Sequence, residues 1–381
     1  MSRTRLAASA ATALSTVLAL VAGALVTLSA PVVATAAPRV TVARVASGLT
    51  IPWDITWVGN LMLFDQRAGS VWSKRGSAAP RRVRLPMPPI YARGEGGLLG
   101  LVADPRAATN KHFYTCMAVA TASGGRRGVE VWKWRLASDT TAVKVKTLIA
   151  GIPLNRTGRH SGCRLRFRSA TMLYVGTGDA ATGTNPQNLQ SLGGKILRIR
   201  SDGYIPRSNP FYARGRNARL VFNYGHRNIQ GLIKRPGRSE LWSVEHGPTR
   251  DDEINLVWSG RNYGWDPTPG YNESRSMTDK RRHPRANGAK WSSGSPTVAT
   301  SGGAFISGAA WGTWHGRLAV AMLKGKGIRL FTVNRDNKIT GQQTVFRSYG
   351  RIRTVQHGPD GALYFTTSNG SGDAIYRVTA G

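Results

Sequence analysis

Short hydrophobic runs come in pairs along most of the chain, each pair joined by a turn that contains Gly or Asp. The runs are rich in Val, Ile, Leu, Tyr and Trp, which is typical of β-strands. Six pairs follow one another from about residue 40 onward: LMLFDQRAGSVW, HFYTCMAVA with VEVWKWRL, TMLYVGTGD with GGKILRIRSDG, SELWSVEHGP with DEINLV, RLAVAMLKGKGIRLFTV, and ALYFTTSNGSGDAIYRV. Sequential β-units at this irregular spacing predict an all-β fold, a six-bladed β-propeller whose blades bury their faces against each other. A β-sandwich or a β-helix would show shorter and more regular periods.

The composition supports many short strands and turns. The 381 residues include 45 Gly and 19 Pro but only 19 acidic residues, whereas long amphipathic helices are usually rich in Glu and Lys. A propeller of this length can be one domain. The segment 266–298 is polar, rich in Pro and Gly, and strongly basic. Because so long a connection inside a compact domain is usually functional or disordered, we expect it at the functional face of the propeller.

The N-terminus has the pattern of a secretory signal peptide. Arg3 and Arg5 precede an apolar stretch at 7–33, and Ala34–Ala36 gives the small-x-small pattern before a cleavage site. We therefore expect residues 1–36 to be removed after Ala36 and residues 37–381 to form a single propeller domain. The alternative is an uncleaved membrane anchor, since the apolar stretch is long enough to span a bilayer.

Export changes the interpretation of the cysteines and of the charge. Cys116 and Cys163 are the only two cysteines, and an even count in an oxidising compartment predicts one disulfide, with two buried free thiols as the alternative. The net charge of +34 becomes +32 without Arg3 and Arg5 and predicts attraction to polyanions. For an exported protein we expect anionic envelope polymers or lipid headgroups rather than nucleic acid. A generally solubilising surface is the alternative.

Eight longer motifs then occur in a defined order: GEGGLLGLVADP (94–105), RHSGCRLRF (159–167), LYVGTGD (173–179), NLQSLGGKILRIRSDGYIPRSNPF (188–211), YGHRNIQGL (224–232), EHGPTRDDEINLVWSGRNYGW (245–265), LKGKGIRLF (323–331) and RIRTVQHGPDGALY (351–364). Together they resemble the soluble quinoprotein glucose dehydrogenase and aldose sugar dehydrogenase family, over essentially the whole chain after the N-terminal segment. The resemblance implies a six-bladed propeller that carries pyrroloquinoline quinone (PQQ) and calcium. It also implies oxidation of the anomeric hydroxyl of an aldose to a lactone, with electrons passed to an external acceptor.

The resemblance assigns catalytic roles to three residues. His160 matches the base that accepts the proton of the sugar hydroxyl, a task that suits imidazole because its pKa lies near the working pH. Asp179 matches the acidic partner that orients this imidazole or senses the substrate. Arg227 matches a residue beside the quinone oxygens, where a guanidinium stabilises developing negative charge. His226, in the same GHRN motif, is expected to be a packed neighbour rather than the base.

The resemblance also assigns cofactor-binding roles to eight residues: Glu95, His160, Arg227, Asn228, Tyr271, Lys324, Arg351 and Arg353. PQQ has three carboxylates, so fixed cations are needed, and the RIR spacing of 351–353 places two guanidiniums on one face of an extended strand. Solvated strand arginines are the alternative in so basic a chain. Glu95 occupies a position that is often glutamine in the family. A carboxylate there requires calcium or an arginine to offset its charge beside an anionic quinone.

For calcium, the resemblance implies the backbone carbonyls of Gly247 and Pro248 as ligands of the catalytic ion. Glu253 and the carbonyl of Tyr263 match a second, structural site. Calcium prefers hard oxygen ligands, including backbone carbonyls. An exposed acidic turn is the alternative interpretation of the Asp-Asp-Glu run at 251–253.

Other functions stay open on the sequence alone. The first alternative is a non-enzymatic secreted propeller that binds anionic envelope polymers or carbohydrate. The second is a quinoprotein that acts on another alcohol or an aldehyde. The basic run KRRHPR at 280–285 is either a solvated loop or a surface for an anionic substrate or an electron acceptor. The chain has no CxxCH motif, so it carries no c-type haem that could take the electrons.

Overall fold

The computed structural model describes residues 37–381, in which six four-stranded antiparallel sheets are arranged as the blades of a propeller. The prediction of an all-β, six-bladed propeller is confirmed. The predicted signal peptide lies outside the described residues. Each of the six predicted hairpins is the second and third strand of one blade.

The strands are numbered in chain order, and β1 (Val40–Leu49) belongs to the last blade. Blade one contains β2 (Pro52–Val58), β3 (Leu61–Gln66), β4 (Ser70–Arg75) and β5 (Arg81–Val83). Blade two contains β6 (Leu98–Ala103), β7 (His112–Ala120), β8 (Arg126–Ser138) and β9 (Thr141–Ile152). Blade three contains β10 (Gly162–Phe167), β11 (Met172–Thr177), β12 (Lys195–Arg200) and β13 (Val221–Tyr224).

Blade four contains β14 (Ile229–Lys234), β15 (Leu241–Glu245), β16 (Glu253–Leu256) and β17 (Trp291–Ser292). Blade five contains β18 (Thr300–Phe305), β19 (Leu318–Met322), β20 (Ile328–Val333) and β21 (Ile339–Val345). Blade six contains β22 (Ile352–His357), β23 (Leu363–Thr367) and β24 (Asp373–Ala380), followed by β1. The helices are one turn of α-helix, α1 (Ala107–Asn110), and 3-10 segments at Tyr212–Arg214, Arg216–Leu220, Ala309–Trp314 and Arg347–Tyr349. Within 37–381, every helix is too short or too polar to span a bilayer.

Strand β1 closes the ring of blades. It pairs antiparallel with β24, from Val40 opposite Ala380 to Leu49 opposite Asp373. The Asp373 carboxylate also accepts the backbone N–H of Ile51 at 3.1 Å, which fixes the link into blade one. The last blade is therefore assembled from both ends of the described chain, and hydrogen bonds hold the ring closed.

The first strand of each blade lines the central channel. Strands β2, β6, β10, β14, β18 and β22 contact one another in that order, and β22 contacts β2. Since every blade repeats the same up-and-down path, these inner strands all begin at one face of the ring. The links that precede the inner strands, and those that follow the second strands, lie on that face. The residues with predicted roles come from such links or from strand ends beside them, except Tyr263 and Tyr271, which lie in the long link between β16 and β17.

Hydrophobic side chains fill the spaces between blades. Leu99 and Val131 of blade two pack with Leu165 and Val175 of blade three in one such cluster. Strand β7 is buried at every position after His112, because neighbouring blades cover both of its faces. This two-sided burial explains the nearly continuous apolar runs of the second and third strands.

Arg164 occupies the centre of the channel. From β10, its guanidinium donates to the carbonyl of Gln230 in β14, to Asp54 Oδ2 in β2 at 3.2 Å, and to the carbonyl of Leu99 in β6 at 3.4 Å. It also reaches the hydroxyl of Thr354 in β22 at 3.4 Å. In β18, a Cβ at Gly302 would collide with the Arg164 guanidinium, so glycine gives the room that this contact requires. One buried side chain thus touches all of the other inner strands.

We predict that Arg164→Met destabilises the protein by about 3–5 kcal/mol, because it leaves Asp54 buried without its ion-pair partner. Equilibrium unfolding in guanidinium chloride measures the change. Lys234→Met, at the exposed end of β14, is the control and is expected to change stability by no more than about 0.5 kcal/mol. Equal stability of the two variants would contradict the bridging role of Arg164.

Candidate active site

His160 stands in a strained turn just before β10. Its φ is 53°, in the left-handed region that a non-glycine residue rarely adopts. Its backbone N–H donates to Glu95 Oε2 at 3.0 Å, and the hydroxyl of Ser161 donates to the carbonyl of Gly158 at 2.9 Å. A Cβ at Gly178 would collide with the carbonyl of His160, so only glycine allows this approach. The turn fixes the position of the imidazole before any ligand binds.

Asp179 and Tyr271 hold the imidazole of His160 from one side. Asp179 Oδ1 lies 2.8 Å from His160 Nδ1, and the Tyr271 hydroxyl lies 2.9 Å from the same nitrogen. The Tyr271 hydroxyl and the Trp265 indole N–H both donate to Asp179 Oδ2, at 2.7 and 2.8 Å. Burial, followed by the charge of Asp179, raises the pKa of Tyr271 well above its usual value, so its hydroxyl stays protonated. All of these contacts use Nδ1, which leaves Nε2 as the nitrogen that can accept a proton.

Arg227 is buried beside this group. Its guanidinium donates to Glu273 and, at 3.0 Å, to the carbonyl of His246. It also lies 5.7 Å from the centre of the Trp265 ring. Arg159 binds the same carboxylate of Glu273 at 3.0 Å. A glutamate from the long 266–298 segment therefore joins two cations at the edge of the site.

A chain of polar side chains links Glu95 to the channel. Asn228 donates to Glu95 Oε2 at 2.8 Å, and Gln230 donates to the side-chain oxygen of Asn228 at 3.0 Å. Arg353 in turn donates to the side-chain oxygen of Gln230 at 3.1 Å. The Arg353 guanidinium lies over the Trp53 ring, 3.8 Å from its centre. Gln230 thus links two of the predicted cofactor residues, Asn228 just before β14 and Arg353 in β22.

Buried cations and carboxylates lie close together at this centre and shift one another's pKa values. Burial and then the nearby Arg164 lower the pKa of Arg353 to about 9, and burial lowers the pKa of His246. Burial would raise the pKa of Glu95, but His160, His246, Asn228 and Arg353 together outweigh it and lower that pKa. In the group around Arg227 and Arg353, the buried nitrogens Arg227 Nε, Arg353 Nε and His246 Nε2 have no hydrogen-bond partner among residues 37–381. Unpartnered buried donors on the cations Arg227 and Arg353 fit an anionic ligand with several acceptor oxygens.

The other two predicted cofactor cations lie on the same face but outside this hydrogen-bonded group. Lys324 follows β19 and is exposed. Arg351 precedes β22, and its guanidinium donates to the carbonyl of Ser368 at 3.0 Å. The RIR spacing therefore gives a buried Arg353 and an exposed Arg351. The cofactor roles of both remain predictions.

Gly247, Pro248 and Glu253 lie in the turn from β15 to β16 and at the start of β16, whereas the Tyr263 ring stacks on His226 with the ring centres 4.4 Å apart. Gly247 follows β15, and its N–H donates to the buried Asp252 carboxylate at 3.0 Å. Asp252 also accepts the N–H groups of Val298 and Ala299, at 2.8 and 2.6 Å. Because the Asp252 and Glu253 side chains are buried, this run is not an exposed acidic turn. Asp252 instead fixes the loop that presents the carbonyls of Gly247 and Pro248.

Glu253 is paired with Glu245 across β15 and β16. Glu245 is compensated by His226 Nδ1 at 2.7 Å and by the N–H of Arg227 at 2.6 Å, whereas Glu253 accepts only from Asn255 and Thr278. Burial and then Glu245 raise the pKa of Glu253. A buried carboxylate opposite a second one fits a hard divalent cation. In the described part of the chain, no three His, Cys, Asp or Glu side chains converge as a metal cluster.

A disulfide joins Cys116 of β7 to Cys163 of β10, with the two Cα atoms 5.5 Å apart. The predicted single bridge is confirmed, and the alternative of two free thiols is excluded. Cys163 lies three residues after His160 and also has a positive φ, of 75°. The bridge therefore ties the turn that carries His160 to the neighbouring blade.

Several residues of the site are not in the predicted set. His246, Trp265 and Gln230 lie inside the recognised motifs, so the motifs could have pointed to them. Glu273 lies in the 266–298 segment, where no pattern marks it. Lys195, also inside a motif, is fully buried and donates to the carbonyls of Asn185, Pro186 and Gly193 at 2.6, 3.0 and 2.7 Å. It shapes the loop that follows Asp179.

A six-bladed propeller with a histidine–aspartate pair among buried arginines at one mouth of its channel defines a class of propeller oxidoreductases. The chain belongs to the glucose/sorbosone dehydrogenase family, whose family model matches residues 49–377. It is 32% identical over 337 residues to the aldose sugar dehydrogenase YliI of Escherichia coli, covering 85% of this chain and 89% of that protein.

Solved structures agree with this assignment. The soluble aldose sugar dehydrogenase from Escherichia coli in its apo-form superimposes with a TM-score of 0.81 and 28% identity, covering 90% of this chain and all of that one, 100%. The PQQ-bound form of aldose sugar dehydrogenase from Streptomyces coelicolor superimposes with a TM-score of 0.72 and 27% identity, covering 90% and 100%. The family assignment makes this chain an oxidoreductase of the glucose and aldose sugar dehydrogenase type.

We predict that Cys116→Ala/Cys163→Ala lowers stability on the order of 4 kcal/mol, since the bridge closes a loop with a sequence separation of 47. The change is measured by guanidinium unfolding of the variant and of the wild-type protein. As a control, dithiothreitol is added to the wild-type protein after it has been denatured. Loss of the bridge by reduction is then compared with its loss by substitution. Unchanged stability of the double variant would contradict a bracing role for the bridge.

Proposed function

We propose that this chain is an exported, PQQ- and calcium-dependent dehydrogenase that oxidises the anomeric hydroxyl of aldose sugars to lactones and passes the electrons to an external acceptor. The observation that carries the proposal is the arrangement around His160. An imidazole fixed through Nδ1 lies among buried cationic nitrogens that lack partners within 37–381. The family assignment and the PQQ-bound relative support the same function.

The residues present fit PQQ. Arg353 and Arg227 are buried cations with unpartnered Nε–H groups, and His246 has an unpartnered ring nitrogen. Lys324 and Arg351 add two cations on the same face. We assign the carboxylates of PQQ to Arg353, Lys324 and Arg351, and its quinone oxygens to Arg227 and Asn228. When bound, PQQ supplies the two-electron acceptor that the protein itself lacks.

His160 acts as the base in this proposal. Its Nδ1 proton is directed at Asp179, so the neutral tautomer presents the Nε2 lone pair to the sugar hydroxyl. As the proton of the sugar hydroxyl transfers to Nε2, Asp179 stabilises the imidazolium that forms. Tyr271 and Trp265 hold Asp179 in place through its other oxygen. Arg227 offsets negative charge on the opposite side of the site.

The export part of the proposal rests on two observations. Residues 1–36 have the pattern of a cleaved signal peptide. The disulfide between Cys116 and Cys163 indicates an oxidising compartment, where such bonds persist. We therefore place the mature protein outside the cytoplasm, in the medium or at the cell envelope.

We expect purified protein mixed with PQQ and calcium to reduce a redox dye only when an aldose is added. A panel of aldoses and simple alcohols identifies the substrate class. In the same assay, His160→Ala is expected to lower kcat by about 100- to 10,000-fold, because the base is lost. PQQ binding to that variant, followed by fluorescence quenching, is expected to persist.

His283→Ala is the matched control, since His283 binds Asp266 outside the group around His160. It should keep turnover close to that of the wild-type protein. If no sugar or alcohol leads to dye reduction and PQQ does not bind, the enzymatic function is refuted. Wild-type turnover by His160→Ala would remove His160 as the base.

For calcium, we expect the thermal midpoint of the protein to rise in millimolar calcium compared with EDTA, since an ion that binds only the folded state stabilises it. Glu253→Gln removes a buried carboxylate ligand and should give a clearly smaller rise. Asp251→Asn, at the partly exposed neighbouring acidic residue, should behave as the wild-type protein. An equal rise in all three proteins would exclude Glu253 as a calcium ligand.

A further inference from the structure

A group of exposed cations lies at the edge of the candidate site. We call it the rim patch and define it as Arg261, Lys280, Arg281 and Arg285, all of which are exposed. Among residues 37–381, no carboxylate lies within ion-pair distance of any of the four. Arg261 and Arg285 also line one cleft of about 380 Å³ with Tyr224 and Asn262. The patch combines charges from two separate segments of the chain.

The loop that carries the patch is firmly built. Asp279 Oδ1 accepts the backbone N–H groups of Arg281 and Arg282, both at 3.1 Å. The Arg282 guanidinium donates inward to the carbonyls of Asp266 and Thr268, at 3.1 and 2.9 Å. One cation of the run thus anchors the loop, while the charges beside it face solvent. Fixed charges can orient a partner, which charges on a freely moving loop do less well.

Three residues of the rim patch, Lys280, Arg281 and Arg285, lie in the same link between β16 and β17 as two residues of the site. Trp265 and Tyr271 donate to Asp179, and Arg282 ties Lys280, Arg281 and Arg285 to the backbone between them. The loop that carries most of the patch is therefore tied directly to the backbone between Trp265 and Tyr271. A partner that docks on it would lie next to the site where reduced cofactor forms.

We propose that the rim patch docks an acidic one-electron carrier protein that serves as the electron acceptor. This inference rests on the proposed function. Oxidation of one sugar to its lactone releases two electrons and two protons, so two carrier molecules each take one electron while the protons pass to solvent. The described chain carries no haem-binding CxxCH motif, so the electrons must leave it. Opposite charge on a carrier would raise its rate of encounter and set its orientation.

The test compares two forms of one carrier that differ in charge. Native cytochrome c is basic, and the same protein with succinylated lysines is acidic. We expect sugar-dependent reduction of the succinylated form to be at least about tenfold faster at low salt. This advantage should disappear at high ionic strength, where the Debye length is only a few ångströms and charges are screened. Biolayer interferometry of the succinylated form on the apo-protein gives a readout that is independent of turnover.

The variant Lys280→Glu/Arg281→Glu/Arg285→Glu should weaken binding and reduction of succinylated cytochrome c by at least about tenfold. The control Arg81→Glu/Arg82→Glu/Arg84→Glu changes the net charge equally, at exposed positions in and after β5. It should lose much less. An equal loss in both variants would overturn the proposal, because attraction would then depend on total charge alone. Neutral Gln replacements at the same three positions should give an intermediate loss, and they preserve the test if the reversal variant fails to fold.

Two further outcomes separate the claims. Reduction of the uncharged ubiquinone-0 by every variant, without any preference for succinylated cytochrome c, would overturn only the docking proposal. Reduction of no acceptor at all would overturn the proposed function together with it.

If the rim variant loses binding to phosphatidylglycerol vesicles and keeps its binding to the carrier, the patch belongs to a membrane surface and the proposal is wrong.

Discussion

The structure depends on closing a ring of six sheets around a channel that is lined by buried polar groups. Arg164 meets this constraint, because one buried guanidinium bonds to inner strands of four other blades and lies against Gly302 of the remaining one. Arg166, two residues further along β10, also bridges inner strands. Its guanidinium donates to the carbonyl of Leu232 in β14 at 3.0 Å and to the side-chain oxygen of Gln356 in β22 at 3.1 Å. Both guanidiniums are satisfied by acceptors on other inner strands. These hydrogen bonds fix the relative positions of the inner strands.

The candidate site is the layer at the mouth of this channel, and it differs from the layers below. Arg164 is saturated by its partners, whereas Arg353 and Arg227 keep buried N–H groups free. The same ring that satisfies the inner charges therefore leaves guanidinium N–H groups without partners at one face. The strained turn of His160 is held there by Glu95, by the close approach of Gly178 and by the disulfide. Rigid support of the base and unmet cationic capacity together favour a bound, anionic redox cofactor.

The sequence predicted the blades through their second and third strands, because both faces of those strands are covered and their apolar runs are nearly unbroken. It did not reveal the inner strands, in which Asp54, Arg164, Gln230 and Arg353 interrupt the hydrophobic pattern with channel-lining polar groups. Outer strands such as β17, with two residues, are too short to leave a pattern. His160, Asp179 and Asn228, which come from three separate motifs, lie close together, since His160 bonds to Asp179 and shares Glu95 with Asn228. The partnership of Arg227 with Glu273 depends on how a long loop folds back, which no local pattern encodes.

The central claim is that the unpartnered cations at the channel mouth form a binding site for PQQ. Isothermal titration calorimetry of PQQ into the calcium-loaded protein tests it most directly. The account predicts saturable binding of one PQQ per chain, with an affinity that falls as salt increases because carboxylate–arginine contacts contribute to it. It also predicts that Arg353→Met weakens this binding by at least about tenfold, as expected for the loss of a buried charge-assisted contact. No saturable binding, or equal binding by Arg353→Met, would contradict the claim.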